Sequence, residues 1–221
     1  MLKRSEGFFT GYHDTKIYYQ KWEHSSPKAL AIITHGQGEH SDCYSRLIEA
    51  LSPLNLSFIA WDLRGHGRSE GSRGYARDFF EYIHDYELFL HFIQQNAELN
   101  KLPKFLMAHS MGGLIQMKTV LSSPQDQYLF QTLSAPMFGI GVKVPAYKDF
   151  AAKLLYQLAP QVTLWNELTH DYLTRDAAII SEFEKDALRH DKISSGVYLG
   201  SLRAMEFIHS KAKKLTLPTY I

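Results

Sequence analysis

Four short apolar runs, separated by helical patterns, constrain the fold of this 221-residue chain more strongly than any other feature. The runs are Ala29–Thr34, Leu56–Trp61, 105–108 and 128–134, and helical spacing marks the segments 44–54, 78–99 and 112–121 between them. Continuous apolar runs of this kind are typical of strands that are buried on both faces of a parallel sheet. Strands that alternate with helices therefore predict an α/β fold with right-handed crossovers.

The pattern differs on either side of this alternating region. Before it, residues 8–23 predict a hairpin around a turn at His13 and Asp14. After Pro136, residues 137–199 contain no run that predicts a buried strand. They contain short helical stretches instead, at 149–158 and 179–188. We expect this part to be a helical lid that is inserted over the sheet.

The last part of the chain predicts a return to the sheet. Residues 200–213 have a helical pattern, and 215–221 resemble the opening of a further strand. The sequence thus predicts a core at 1–136, a lid at 137–199 and an incomplete return to the core at 200–221, without the last core strands.

Composition excludes several classes of protein. A hydrophobic content of 45% and a charged content of 21% are ordinary for an ordered globular protein. The formal net charge of +1 gives no reason to expect a nucleic-acid partner. The single cysteine, Cys43, excludes a disulfide within the chain and favours a reducing compartment. Glu6 and Gly7 interrupt the N-terminus before a signal peptide forms, and no stretch approaches the roughly 18 apolar residues of a membrane span. We expect a cytoplasmic protein, and peripheral membrane contact remains open.

The segment 105–113 carries the most specific chemical signal, because it predicts a strand, a sharp turn and a helix with Ser110 at the turn. Such a turn lifts a serine above the sheet and requires small residues two positions before and after it, here Ala108 and Gly112. Glycine is usual at both positions, so this is a variant of the G-x-S-x-G elbow. The alternative is that Ser110 only caps the helix, as serines often do. The small residues around it favour a nucleophile.

Two backbone N–H groups are candidates for an oxyanion hole. The helix after Ser110 directs its N-terminus at the serine, so the Met111 N–H is the first candidate donor. The second donor is expected from the loop after an earlier strand, where Gly36 allows close approach and the Gln37 N–H is suitably placed. His109 adjoins Ser110, but neighbouring side chains diverge at a turn, so we expect it to point away.

The loop at 35–40 has other possible interpretations. It begins a G-x-G-x-x-G pattern, which ends at Ser41 instead of glycine. A metal site built from His35, Glu39 and His40 lacks the spacing of H-E-x-x-H. We therefore expect no metal there, and we expect His35 to brace the loop through hydrogen bonds.

These motifs together resemble one branch of the α/β-hydrolases, the monoacylglycerol lipases and lysophospholipases. The matching segments are HGQGEHS at 35–41 with Tyr44, DLRGHGRSEG at 62–71, HSMGG at 109–113, LSAP at 133–136, LTRD at 173–176 and the stretch 186–193. They occur in the family's order over nearly the whole chain. The pair H-G-x-G-E-H and D-x-R-G-H-G-x-S is specific to this branch, whereas a lone serine elbow is not.

The resemblance implies an α/β-hydrolase fold and a function. Ser110 would be the nucleophile, and the N–H groups of Gln37 and Met111 would form the oxyanion hole. Monoacylglycerols or lysophospholipids would be the substrates, with no metal or organic cofactor. The lid would receive the acyl chain, with 154–158 facing either lipid or the sheet.

The resemblance does not extend to the general base, which a serine nucleophile needs to remove its hydroxyl proton. In this fold the acid and the histidine follow later core strands, and here the last predicted strand begins near Leu217. The acid and histidine of the triad therefore have no counterpart. His170, His190 and His209 follow Ser110 in the chain, but none is assigned as the base. Two other functions stay open, an inactive protein that binds acyl lipid or a protein partner, and an acyltransferase. The oligomeric state is also open.

Overall fold

A seven-stranded sheet is the centre of the computed structural model, which describes residues 2–141, 144–166 and 173–221. Its strands are β1 (Lys3–Thr10), β2 (Lys16–Glu23), β3 (Ala29–Thr34), β4 (Leu56–Trp61), β5 (Lys104–His109), β6 (Gln131–Ser134) and β9 (Thr219–Tyr220). Their spatial order is β1-β2-β4-β3-β5-β6-β9. β1 and β2 form the antiparallel hairpin, and every pair from β4 to β9 is parallel. The predicted hairpin and parallel sheet are confirmed.

The helices of the described residues surround the sheet and form the lid. They are α1 (Ser45–Leu51), α2 (Phe80–Gln95), α3 (Ala97–Asn100), α4 (Ser110–Val120), α5 (Ala146–Leu158), α6 (Ala177–Lys185) and α7 (Ser195–Lys211). Short 3-10 turns occur at Tyr12–Asp14, Ser41–Tyr44, Ser52–Leu54 and Ala212–Lys214. None of the described helices combines the length and the apolar character that a membrane crossing requires.

Burial on both faces explains the apolar runs. All six residues of β3 are buried, and Ile32 lies opposite Ile59 of β4 and Leu106 of β5. One apolar cluster lies on each side of the sheet, and the larger contains Trp61 stacked on Phe89 at 5.3 Å between ring centroids. A strand with neighbours on both sides and helices over both faces exposes neither face to water, which is why its sequence does not alternate between apolar and polar residues.

Several predicted element boundaries are wrong. The predicted helix at 78–99 ends at Gln95, because the Asn96 side chain accepts hydrogen bonds from the N–H groups of Glu98 and Leu99 and starts the short α3. The apolar run at 128–134 forms strand only at Gln131–Ser134. The helix at 44–54 is α1 flanked by two 3-10 turns.

The lid contains a small sheet that the sequence did not predict. Strands β7 (Thr163–Trp165) and β8 (Lys192–Ser194) pair in antiparallel fashion. Each has three residues, too few for a recognisable alternation. Helix α7 begins at Ser195, earlier than predicted, and runs through the expected boundary at 199/200. The predicted boundaries of the lid, after residues 136 and 199, therefore remain a prediction.

Candidate active site

Ser110 lies at a sharp turn between β5 and α4. His109 is extended, with φ −121° and ψ 140°, and the helix begins at the next residue. Ser110 itself has φ +48°, a left-handed conformation that is uncommon for a residue with a side chain. Strain of this kind costs of order 1–3 kcal/mol and is concentrated at functional sites. The geometry matches the elbow that the sequence predicts.

Close packing around the turn explains its small residues. A Cβ atom on Gly112 would overlap the backbone carbonyl oxygens of Thr34 and His35. A Cβ atom on Gly113 would lie 2.8 Å from Cβ of Pro136. Ala108 is buried in β5, where its single methyl group is accommodated. Helix α4 can therefore pack against the ends of β3 and β6 only because its first turn has no side chains on that side.

The loop after β3 lies directly against the serine. A Cβ atom on Gly36 would be 3.1 Å from the Ser110 Cβ atom and 3.1 Å from Glu39 Oε1. The Gly36 N–H donates to Glu39 Oε1 at 2.6 Å, and the Tyr44 hydroxyl donates to the same oxygen at 2.9 Å. Burial raises the pKa of Tyr44 well above its usual range, so its hydroxyl remains a donor. Glu39 thus holds the loop closed beside Ser110.

The sequence suggested Glu39 only as a metal ligand and did not predict this bracing role. Its signal is the spacing Gly-x-x-Glu within one loop, which lets a carboxylate turn back to a backbone N–H. That spacing is common, so it has no specificity before the loop conformation is known.

The two predicted oxyanion donors lie on either side of this contact. The Met111 N–H is in the first turn of α4, where backbone N–H groups have no partner within the helix. Among the hydrogen bonds of the described residues, none uses the Gln37 N–H. The Gln37 side chain bonds elsewhere, because its Nε2 donates to the Lys192 carbonyl of the lid at 2.6 Å. Both N–H groups therefore remain candidate donors for an oxyanion.

His35 is fully engaged as a brace. The Leu63 N–H donates to its Nε2 at 2.9 Å, so its Nδ1 carries the proton and donates to the Gly36 carbonyl at 2.7 Å. Burial lowers the pKa of His35 and keeps the ring neutral. With both nitrogens occupied, His35 has no free atom to act as a base for Ser110.

His109, His209 and His190 each contact a group other than the serine. Nδ1 of His109 is 2.9 Å from the Ser134 carbonyl oxygen, so the ring turns toward β6. Nε2 of His209 is 2.7 Å from the Phe138 carbonyl oxygen. His190 packs on His66 at 4.4 Å between ring centroids. His170 lies outside the described residues. Within the described part of the chain, no histidine or carboxylate forms a hydrogen bond with the Ser110 hydroxyl.

The loop at 62–71 supports the site from behind. Asp62 Oδ1 accepts from the N–H and hydroxyl of Ser41, and its Oδ2 accepts from the Arg68 N–H at 2.8 Å. Arg64 forms a paired contact with the fully buried Asp85, at 2.6 and 2.8 Å. The loop at 62–71 is therefore tied to the turn at Ser41 through Asp62 and to α2 through Arg64.

Comparisons with known proteins identify the family of this chain. The sequence model of the family described as serine aminopeptidase, S33, matches residues 25–221. A monoglyceride lipase homolog of Monkeypox virus is 31% identical over 93% of this chain and 73% of its own length. Phospholipase YtpA of Bacillus subtilis is 31% identical over 84% of this chain and 70% of its own length.

A solved structure is similar over almost the whole chain. The monoacylglycerol lipase of Paleococcus ferrophilus superposes with a TM-score of 0.76 and 27% sequence identity. The match covers 99% of this chain and 76% of the lipase. The parallel sheet, the serine elbow and these matches have one explanation: the chain has the α/β-hydrolase fold and belongs to the serine aminopeptidase S33 family, which includes ester hydrolases.

Proposed function

We propose that the protein hydrolyses carboxylic esters of lipids, monoacylglycerols or lysophospholipids, through an acyl-enzyme on Ser110. The observation that carries the proposal is the left-handed Ser110 at the start of α4, with the Gly36 loop in contact with it. A serine that only capped a helix would have no reason for this strain. The names of the relatives, lipases and a phospholipase, favour a lipid ester as the substrate class.

The chemistry assigned to each group follows from its position. The Ser110 oxygen attacks the ester carbonyl carbon, the carbonyl oxygen becomes an oxyanion, and the N–H groups of Gln37 and Met111 stabilise it. Collapse of this intermediate breaks the bond to the alcohol and leaves the acyl group on Ser110. Water then attacks the acyl-enzyme and releases the fatty acid. The hydroxyl proton of Ser110 needs an acceptor, which is not among the described contacts of Ser110.

The lid provides an apolar surface for the lipid. Tyr147, Phe150, Leu154 and Leu158 follow one another at spacings of three and four on α5, and all four are exposed, Leu158 by 75%. Leu155 is partly buried, so the segment 154–158 faces mainly outward. We infer that this stripe contacts the membrane surface or the acyl chain. The single cysteine favours a reducing compartment for the protein.

A matched pair of leucines tests the membrane contact. Leu158→Glu should weaken sedimentation with phosphatidylcholine vesicles, because it places a charge in the stripe. Leu54→Glu is the control, since Leu54 is also exposed but follows α1 on the core. Equal binding by both variants would contradict a contact through α5.

Covalent labelling tests the nucleophile. We expect a fluorophosphonate probe to modify Ser110 selectively, and slowly, since no described base contacts it; oxyanion stabilisation alone retains roughly 10³–10⁴-fold of such catalysis over water. Mass spectrometry locates the adduct, and Ser110→Ala should abolish it. Ser122→Ala, at the other end of α4, is the matched control and should label normally.

The outcomes separate the competing functions. Labelling of another serine, or of Ser110→Ala, would refute the proposed nucleophile. Rapid labelling would show that a working base is present in the chain and that the triad is not incomplete. A folded protein that binds a fatty acid but never labels would be an inactive binding protein. Release of acyl-glycerol instead of fatty acid, when glycerol is added, would indicate an acyltransferase.

A further inference from the structure

The two candidate oxyanion donors are held in different ways. The Met111 N–H belongs to the first turn of α4, so the helix fixes its direction. Gln37 lies between β3 and the 3-10 turn Ser41–Tyr44, outside any helix or strand. A group in a loop keeps a defined direction only when neighbouring side chains and hydrogen bonds hold it. The contacts of the peptide units around Gln37 therefore decide where its N–H points.

His35 holds the peptide unit that contains this N–H. Its Nδ1–H donates to the Gly36 carbonyl at 2.7 Å, and that carbonyl belongs to the same peptide unit as the Gln37 N–H. The described residues contain no cis peptide bond, and in a trans peptide the C=O and N–H point in opposite directions. The Gln37 N–H therefore points away from Nδ1 of His35.

The position of the proton on His35 is fixed in turn. The Leu63 N–H donates to Nε2 at 2.9 Å, so the proton of the neutral ring lies on Nδ1. His35 is 1% exposed, and burial lowers its pKa, which keeps the ring neutral. If the proton moved to Nε2, a lone pair would face the Gly36 carbonyl oxygen, and the peptide unit would lose this contact.

Glu39 holds the preceding peptide unit. Its Oε1 accepts the Gly36 N–H at 2.6 Å and the Tyr44 hydroxyl at 2.9 Å. Tyr44 packs against the apolar cluster that contains Phe58 and Phe105, so the carboxylate is tied to the core. Hydrogen bonds to an ionised carboxylate are roughly twice as strong as neutral ones. The N–H and the carbonyl of Gly36 are therefore each held by a different side chain.

The lid also contacts this loop, but at other groups. Nε2 of Gln37 donates to the Lys192 carbonyl at 2.6 Å, and the His190 N–H donates to the Gly38 carbonyl at 3.1 Å. These bonds hold the Gln37 side chain and the peptide unit that follows Gly38. Among the described contacts, the peptide unit with the Gln37 N–H is held from the core.

We propose that His35 and Glu39 are positioning residues that direct the Gln37 N–H. They aim it at the oxyanion that forms when Ser110 attacks an ester, so the inference rests on the proposed function. In this role neither side chain contacts the substrate, because each acts through the Gly36 backbone. A displacement of about 1 Å at a catalytic group can cost about 10²-fold in rate. Loosening this loop should therefore slow the chemical step more than it weakens binding.

The kinetics of Ser110 labelling test the inference. A fluorophosphonate probe is applied to the folded 221-residue chain over a range of concentrations, which separates the binding constant of the probe from the maximal rate of labelling. Glu39→Ala and His35→Ala should each lower the maximal rate about 10–100-fold and leave the binding constant within about twofold. Circular dichroism verifies folding, and Glu39→Ala gives the result if the buried His35→Ala unfolds.

Conservative substitutions should restore the rate. Glu39→Gln keeps a side-chain oxygen for the Gly36 N–H, and His35→Asn keeps an N–H donor near the position of Nδ1. We expect both to label within about fivefold of the wild type. Glu70→Ala is the matched control, because Glu70 also accepts a backbone N–H, from Lys16 at 2.9 Å, and it should label at the wild-type rate.

The direction of the peptide unit is also measured without the reaction. In 15N–1H spectra, the amide resonance of Gln37 should move in Glu39→Ala and in His35→Ala, and stay in place in Glu70→Ala. Long-range 15N–1H spectra of the wild type should show the His35 proton on Nδ1.

The outcomes distinguish this inference from the proposed function. If the wild type labels at Ser110 and Glu39→Ala and His35→Ala label equally fast, the inference is overturned and the proposed function stands. A change in the binding constant alone would also overturn it. If the wild type does not label, the proposed function fails. Unchanged Gln37 resonances in both variants would then overturn the inference as well, whereas shifted resonances would support the role of His35 and Glu39 in holding the peptide unit.

Discussion

The central sheet and the lid belong to one chain but are held in place by different forces. Every residue of β3 and all but the first of β4 are buried, and α2 and α4 bury most of their apolar side chains. The lid helices α5 and α6 bury no residue at all. The sheet therefore depends on apolar packing to a greater degree than these lid helices, whose side chains are at most partly buried.

Polar contacts to the core add to the apolar packing of Met137, Phe138 and Ile193 in holding the lid. Arg46 pairs with Glu182, and Nε2 of Gln37 donates to the Lys192 carbonyl. The His190 N–H donates to the Gly38 carbonyl at 3.1 Å. Such contacts are individually weak, in contrast to buried apolar volume. The difference predicts that the lid opens locally under conditions that leave the sheet intact.

The largest expected contrast comes from truncating one phenylalanine in each region. Phe89→Ala, in the fully buried stack with Trp61, should lower the free energy of unfolding by about 3–5 kcal/mol. Phe150 lies on α5 and is 68% exposed, so Phe150→Ala should change the free energy of unfolding by less than about 0.5 kcal/mol. Urea titration followed by circular dichroism measures both. Similar costs would mean that α5 is packed in solution.

Ion pairs should show the same contrast on a smaller scale. Asp85→Asn removes the carboxylate that neutralises the buried Arg64 and accepts the Tyr12 N–H, and Glu81 at 3.3 Å remains as a partial partner. We expect a loss of about 3 kcal/mol. Arg46→Gln breaks an exposed pair and should cost about 0–1 kcal/mol. The comparison fails if both substitutions shift the urea midpoint equally.

Glycine substitutions test the two regions at the backbone level. Gly112→Ala forces a methyl group against the carbonyl oxygens of Thr34 and His35, so it should cost about 1–3 kcal/mol and displace Ser110. Gly139→Ala has no atom within 4 Å of the new methyl group and should be neutral. Thermal unfolding gives the stability, and fluorophosphonate labelling reports the position of Ser110. Normal labelling of Gly112→Ala would argue against a tightly packed elbow.

The smallest effect should be a pH dependence of lid docking. The raised pKa of His40, about 9, gives stability that is complete below the unfolded value near 6.5 and is lost as the pH rises toward 9. Burial and then Arg73 lower the pKa of His190 to about 4, so its contribution is present above 6.5 and declines as the pH falls toward 4. Docking should therefore be tightest near pH 6.5.

Limited proteolysis across pH measures this directly. Cleavage within the described lid segment 173–194 should be slowest near pH 6.5 and faster on both sides, while the sheet stays resistant. His40→Gln should abolish the alkaline limb only. A flat profile for the wild-type chain would show that these two histidines do not control docking.

The sequence predicted the sheet well and the lid poorly, for one reason. Strands such as β3 are specified by local patterns, since burial on both faces favours apolar residues along the strand, as at the first five of the six positions of β3. The serine elbow is also local, because Ala108, Ser110 and Gly112 lie within five residues. Strands β7 and β8 are too short to have a pattern of their own, and they pair across a long stretch of chain.

Taken alone, the sequence determined the order of the main strands and helices of the core, the apolar core itself, the position of Ser110 and the resemblance to lipid-ester hydrolases. Only the tertiary structure decided which polar groups meet. The contacts of His40 with Asp186 and of Gln37 with Lys192 join residues about 150 positions apart. Periodicity records which face of an element is buried, but a hydrogen bond depends on the distance between two atoms that only folding brings together.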